Sequence, residues 1–327
     1  VDSLIVGNFV GANALASVGT CGSVSFLFFS LSSGLALGIG IIVAQYFGAK
    51  NEEKVRHTIG NSFYVLIAAS LVVSLIGIFF SPFIMTLLQC PDIIRKDAIT
   101  YLRTSCYGIV FIALYNGVAA ILRALGDSKT PLYFLILSSI VNVVLDLVFV
   151  LCFDWAVFGV ALATVFSQAV SAIASLIYAF NKVPYFIFLI AELTPHKTII
   201  INSFKLGVPI SLQNSLIAIS CIVLQGVVNT FGETVMAAYT VTMRIEQLVQ
   251  QPFSSLGMAL TSYAGQNFGA QRIDRVKKGM HRATFMVLIF SLIMLPVFYI
   301  FGDKIIYCFV KEQDVISIGA KALRITS

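Results

Sequence analysis

Residues 44–56 read AQYFGAKNEEKVR, and residues 265–277 read GQNFGAQRIDRVK. Gln45, Phe47, Gly48, Ala49 and Val55 of the first stretch match Gln266, Phe268, Gly269, Ala270 and Val276 of the second, each displaced by 221 positions. The same displacement carries Asn8 to Asn229, Gly11 to Gly232, Ala16 to Ala237, Leu102 to Leu323 and Arg103 to Arg324. Apolar segments often match by chance, but one register held through charged loops does not arise that way. The chain therefore reads as two copies of one unit. The second copy is incomplete, since counterparts of residues 107–221 would fall beyond Ser327.

What repeats is a set of membrane helices. Of the 327 residues, 58% are hydrophobic and only 11% charged, and the mean hydropathy is +0.95. An ordinary soluble domain has about 25% charged residues, so a water-soluble enzyme, a coiled coil and a disordered chain are all excluded. A bilayer-crossing helix needs about 20 mostly apolar residues. The runs between charge clusters give a partial span at 1–10, then 14–46, 59–88, 97–122, 131–153, 156–180, 200–231, 234–267 and 280–309, and a truncated one from 315. Six spans separate equivalent points of the repeat, so both copies point the same way through the membrane, as in transporters built from parallel repeats. The expected fold is an all-α polytopic membrane protein of two parallel-repeat six-helix lobes. An N-lobe over 1–180, a connection at 181–199 and a partial C-lobe over 200–327 follow. The Val1-Asp2-Ser3 start and the helical reading up to Ser327 suggest part of a longer protein.

Charge sets the orientation. The net charge is +6, and 13 of the 21 Lys and Arg residues fall in or beside the connections at 47–58, 123–130, 181–199 and 269–282. The positive-inside rule makes those loops cytoplasmic. The basic surplus is thereby explained without nucleic acid, and the expected location is the inner (plasma) membrane. Trp155, the lone Trp, falls in the short opposite turn 152–155, where an interfacial indole belongs. The six cysteines form no CxxC pair, and the three histidines are far apart. Both patterns argue against a metal centre and for cysteines packed as small apolar core residues.

Charge inside a membrane helix is costly, about 2.5–3.5 kcal/mol on insertion scales, so the exceptions are informative. Of the 15 acids, only Asp2, Asp146 and Glu246 lie away from loops. Asn142 and Asp146 are four apart and share a helix face. Asp146 sits about seven residues, roughly 10 Å, from the outer surface at 1.5 Å per residue. Thr164 on the next, antiparallel span and Asp2 on the first are each roughly 12 Å deep on the same rise. Four oxygen-bearing side chains at one level suit a proton or a hard monovalent cation, such as sodium. Two carboxylates there repel unless a proton or cation lies between them. The competing reading is a buried network that only fixes helix packing. Arg244 and Glu246, near mid-membrane, with Gln213 and Asn214 on the preceding span, are candidate contacts of a substrate cleft or a structural polar anchor. The turn Arg123–Pro131 reads as structural, with Gly126 free to take positive φ and Asp127 or Ser128 capping. Gly34, Gly38 and Gly40 permit close helix contact. There is no P-loop, HExxH or nucleophile elbow, and no enzymatic activity is expected.

The VGNFVGANALASVG segment after Asp2, with VAQYFGAK, RALGDSKTP and NVVLDLVFV…FGVALATVFSQ, resembles the multidrug and toxic compound extrusion (MATE) family over nearly the whole chain. That resemblance implies twelve helices in two six-helix lobes, of which this chain would hold the end of helix one to the start of helix ten. It implies export of organic cations and other amphipathic drugs by alternating access, in exchange for sodium or protons. In DinF-like and archaeal members the N-lobe cation site draws on a first-helix Asp, a fifth-helix Asn and Asp and a sixth-helix Thr, the positions held by Asp2, Asn142, Asp146 and Thr164. NorM-like members use an acid on helix seven, whereas 200–231 contains no Asp or Glu. Many relatives have Pro after Asp146, where Leu147 stands. The implied partners are membrane lipid and a small amphipathic or cationic substrate, with no obligate oligomer. No cofactor is implied beyond the transported ion. The alternative is a lipid-linked oligosaccharide flippase of the wider superfamily, for which Arg244 would be the one basic residue at mid-depth.

Overall fold

The computed structural model describes residues 2–187, 190–307, 310 and 312–326. Cys308, Lys311 and positions 188–189 of the inter-lobe connection lie outside them. Every regular element among the described residues is helical. They run α1 (Asp2–Phe9), α2 (Ala12–Gly48), α3 (Glu52–Leu87), α4 (Asp92–Tyr107), α5 (Ile109–Ala124), α6 (Thr130–Leu147), α7 (Ala156–Lys182), α8 (Lys197–Asn229), α9 (Glu233–Gly269), α10 (Ile273–Tyr307) and α11 (Gln313–Thr326). Six helices are long and apolar enough to cross a bilayer, or seven if the bent pair α4–α5 counts as one span.

The displacement of 221 recurs helix by helix. α2 and α9 begin and end at equivalent positions, and α3 with α10 and α4 with α11 begin at equivalent positions. Glycine precedes both long helices in a left-handed backbone, Gly11 at φ 123° and Gly232 at φ 94°. Both end alike: Ala49 N–H donates to Gln45 O and Ala270 N–H to Gln266 O, each at 3.0 Å. Lys50 and Gln271 then both take φ 56°. Such left-handed residues stop a helix by folding its last carbonyls back onto the chain.

Two predicted spans differ in detail. The run 97–122 is a pair of helices, α4 and α5, bent by 42° at Gly108. A Cβ there would lie 3.3 Å from Val165 Cγ2 on α7, so the glycine lets α7 press against the break. The run 131–153 is α6 continued by a π-helical turn, Val148–Cys152. Without proline at 147 the helix is not interrupted; it widens by a turn with i→i+5 bonding.

The chain forms two compact units, Val1–Ala218 and Ile219–Ser327. In the first, one apolar cluster gathers Val6, Val18, Leu102 and Val160, and a second gathers Ile39, Val43, Ile59, Ile121 and Phe186. Small residues let helices approach: a Cβ on Gly38 of α2 would sit 2.6 Å from Gly207 N of α8, and Ser211 Oγ donates to Leu31 O at 3.0 Å. In the second unit Val241, Ile245, Phe298, Ile306 and Leu323 join α9, α10 and α11.

The segment between α7 and α8 is docked on α3. Arg56 Nε donates to Glu192 Oε1 at 2.6 Å. Asn61, fully buried, donates to Thr194 O at 3.2 Å and accepts from His196 N–H at 2.7 Å. Tyr64 OH reaches Leu193 O at 3.0 Å. The turn before α6 is built as its residues imply. Gly126 has φ 100°, and Asp127 Oδ1 accepts from the N–H groups of Lys129 (3.2 Å) and Thr130 (3.0 Å). One expectation fails for part of its set. Cys21, Cys90 and Cys106 are buried, but Cys152 and Cys221 are exposed, on outward faces where a weakly polar thiol is cheap to leave in lipid.

Candidate cation-binding site

The turn at 153–155 folds α7 back antiparallel to α6, with Trp155 N–H donating to Phe149 O at 3.0 Å. Serines then tie the pair together: Ser138 Oγ donates to Ser167 O at 3.0 Å, and Ser171 Oγ to Phe134 O at 3.3 Å. That register sets Asn142 of α6 opposite Thr164 of α7, with Asn142 Nδ2 donating to Thr164 Oγ1 at 3.4 Å. α1 brings Asp2 to the same point. Thr164 Oγ1 lies 3.0 Å from Asp2 Oδ2 and 3.1 Å from Val160 O. A hydroxyl has one proton to give, so Thr164 chooses between the carboxylate and its own helix backbone.

A fifth residue joins them. Tyr101 of α4, 8% exposed, donates its OH to Asp2 Oδ2 at 3.4 Å. Sequence reasoning missed it. The amphipathic pattern of α4 marks Tyr101 as inward-facing, but nothing local indicates that α4 meets α1 at this level.

Asp146 is wholly buried, and neither carboxylate oxygen receives a hydrogen bond from a described residue. The Asp2 carboxyl is the acidic side chain that acts on it electrostatically. Two ionised carboxylates are acceptors only, so they can bond one another only by sharing a proton. A buried ion left unpaired costs several kcal/mol. The donor set is all oxygen apart from the Asn142 amide, which can turn its carbonyl inward. That chemistry fits a proton or a hard monovalent cation and offers nothing to a soft metal.

A cavity of about 100 Å³ borders the cluster, with Tyr101 and Thr164 in its wall beside Ser25, Ser105 and Gln168.

The four other sequence candidates lie two on each of two helices. Gln213 is exposed and Asn214 half-buried on α8, in the first unit. Arg244 is exposed and Glu246 half-buried on α9, in the second. No hydrogen bond or ion pair joins any of these four to another described residue. Glu246 acts electrostatically on Tyr239 two turns earlier on α9, whose hydroxyl is buried without a partner among the described residues.

Comparison with known proteins agrees on one family. A family model described as MatE matches residues 1–148 and 209–327. The probable multidrug resistance protein YoeA of Bacillus subtilis (strain 168) is 30% identical over 333 residues, covering 100% of this chain and 72% of its own length. The probable multidrug resistance protein YpnP of the same strain is 30% identical over 327 residues, covering 99% and 72%. Among solved structures, a MATE crystal structure in the bent conformation superposes with a TM-score of 0.92 at 24% identity, over 99% of this chain and 72% of that one.

Proposed function

The chain belongs to the MatE family of multi-pass membrane transporters, and from that premise we propose that it is a cation-coupled antiporter that exports amphipathic drugs. Drug efflux is the activity for which its 30%-identical relatives are named. Asp2 and Asp146 take the coupling sodium ion or proton, with Asn142 and Thr164 as neutral ligands and Tyr101 as a donor that is released when the cation arrives. Organic cations and other amphipathic compounds are the exported class. Gln213, Asn214, Arg244 and Glu246 are candidate contacts for them. The loops at 47–58, 123–130, 181–199 and 269–282 face the cytoplasm, as their basic residues favour. Residues 1–180 serve as the first lobe, 181–199 as the connection and 200–327 as part of the second.

The observation that carries this reading is the wholly buried Asp146 carboxyl facing the Asp2 carboxyl, with no hydrogen-bond donor among the described residues except a proton the two acids would share. A packing network would have satisfied it, because buried polar groups that serve structure are paired. Binding a cation there in one conformation and releasing it in another biases alternating access only if affinity differs between the two states. The test is efflux of a fluorescent organic cation from proteoliposomes, with sodium and pH gradients imposed separately. Asp146→Asn should lose at least tenfold of gradient-driven efflux while remaining folded. Wild-type efflux from that variant under the same gradients would end the proposal.

A further inference from the structure

α10 opens on a basic face that its counterpart in the first copy lacks. Between 272 and 282 lie Arg272, Arg275, Lys277, Lys278 and Arg282, against Asp274 alone. All five bases are exposed, and none of their side chains forms an ion pair or hydrogen bond with another described residue. Cations near a helix N-terminus oppose the helix dipole, so an unpartnered cluster there calls for an anion to offset it.

The equivalent turn of α3 is balanced from within the chain. Its first turn carries Glu52 and Glu53, and Arg56, the counterpart of Lys277, lies 3.9 Å from Glu52 and 2.6 Å from Glu192. The segment before α8 covers that face. It bonds Asn61 and sets Glu192 O 3.1 Å from where a Cβ on Gly60 would stand. The displacement of 221 puts Arg282 in the place of Asn61 and His281 in the place of Gly60. A segment docked in the same way would meet the His281 ring and would bury the Arg282 charge unpaired, which is strongly unfavourable. The second copy has kept the helix and lost the seat for a peptide.

What the face fits instead follows from its register. At about 100° per residue, Arg275, Lys278 and Arg282 fall on one side of α10, and Phe285, Ile289 and Ile293 continue the same stripe. Those three apolar side chains are exposed, and 283–302 contains no Asp, Glu, Lys or Arg. From Arg282 to Ile293 the helix rises roughly 16 Å at 1.5 Å per residue. That is close to the depth of one leaflet, about half of a 30 Å hydrocarbon core. Bases at the edge of a membrane helix attract anionic headgroups, and the apolar stripe beyond them suits an acyl chain. A soluble phosphate would use only the basic end. We propose that this face of α10 holds an anionic phospholipid, with its phosphate headgroup against Arg275, Lys278 and Arg282 and its acyl chain along Phe285, Ile289 and Ile293.

The experiment uses the full chain in phosphatidylcholine proteoliposomes. The signal is the emission that Phe285→Trp adds to a Trp155→Phe chain, which places an indole on the stripe. Phosphatidylglycerol or phosphatidylcholine, brominated on the acyl chains, serves as quencher. Half-maximal quenching should need about fivefold less brominated phosphatidylglycerol than brominated phosphatidylcholine. Arg275→Gln/Lys278→Gln/Arg282→Gln should abolish that preference. Lys50→Gln/Lys129→Gln/Lys182→Gln, which removes the same charge from other connections, should leave it intact. Equal quenching by the two lipids with all bases present would overturn the proposal, and that result needs neither triple variant to fold. Quenching by neither lipid would also overturn it, by placing protein over the stripe. Retention of the preference in the first triple variant, or its loss in the second, would make it a property of net charge rather than of this face.

Discussion

Thr164 concentrates the chemistry of the site in one atom. Its hydroxyl accepts from Asn142 and has both Asp2 and the Val160 carbonyl within donor range, so it can serve as a ligand or withdraw to its own backbone. Thr164→Val keeps the shape and removes the oxygen. It should raise the cation concentration for half-maximal efflux about tenfold, the equivalent of about 1.4 kcal/mol for one lost hydrogen-bonding oxygen, as titration of efflux against the gradient would show. Asp127 illustrates the opposite case, a charge used only for shape. Burial alone would raise its carboxyl, but hydrogen bonds from Thr130 and Lys129 hold it below its ordinary value. A depressed carboxyl stabilises the fold above its unfolded pKa, and that contribution vanishes as pH falls through the folded value. Asp127→Ala should therefore cost about 1 kcal/mol near neutrality in thermal unfolding, with the difference from wild type closing below about pH 4. Asp2, Asn142, Asp146 and Thr164 were legible in the sequence because helix spacing and one short turn fix their depths. Tyr101 was not, since its partner lies 99 residues away and only tertiary packing brings them together.

At the scale of helices, hydropathy located the spans but not where they break. The run 97–122 is polar before Gly108, with Asp97, Arg103, Thr104 and Ser105, and apolar after it, and the glycine leaves Val165 of α7 room against the break. The π turn after Leu147 is invisible in composition. What helices do with small residues is clearer. Gly38 of α2 leaves no room for a side chain beside Gly207 of α8. Gly38→Leu should destabilise by about 1–3 kcal/mol through overpacking, measured as a lower apparent Tm in detergent. The docked segment before α8 invites a double-mutant cycle. Arg56 and Glu192 are joined at 2.6 Å, with the Glu192 side chain only 5% exposed. Arg56→Ala and Glu192→Ala should each lower stability, and the pair should show a coupling energy of about 1–3 kcal/mol.

Across the whole molecule the repeat preserves backbone and discards chemistry. Gly11 and Gly232 hold equivalent left-handed positions, and alanine at either should cost about 1–3 kcal/mol of backbone strain. The counterpart of Asp2, by contrast, is Val223, and that of Ser25 is Glu246. The duplicated frame was legible because loops and glycines keep register. Separate roles for the two copies were legible only where charges differ. The exposed cysteines fall one to each unit, Cys152 in the first and Cys221 in the second, while Cys21, Cys90 and Cys106 are buried. With Cys308 replaced by serine, a thiol-reactive spin label would thus mark each half of the native chain. The distance between the two paramagnetic centres, followed by pulsed resonance as sodium or pH is changed, would time any motion of one half against the other.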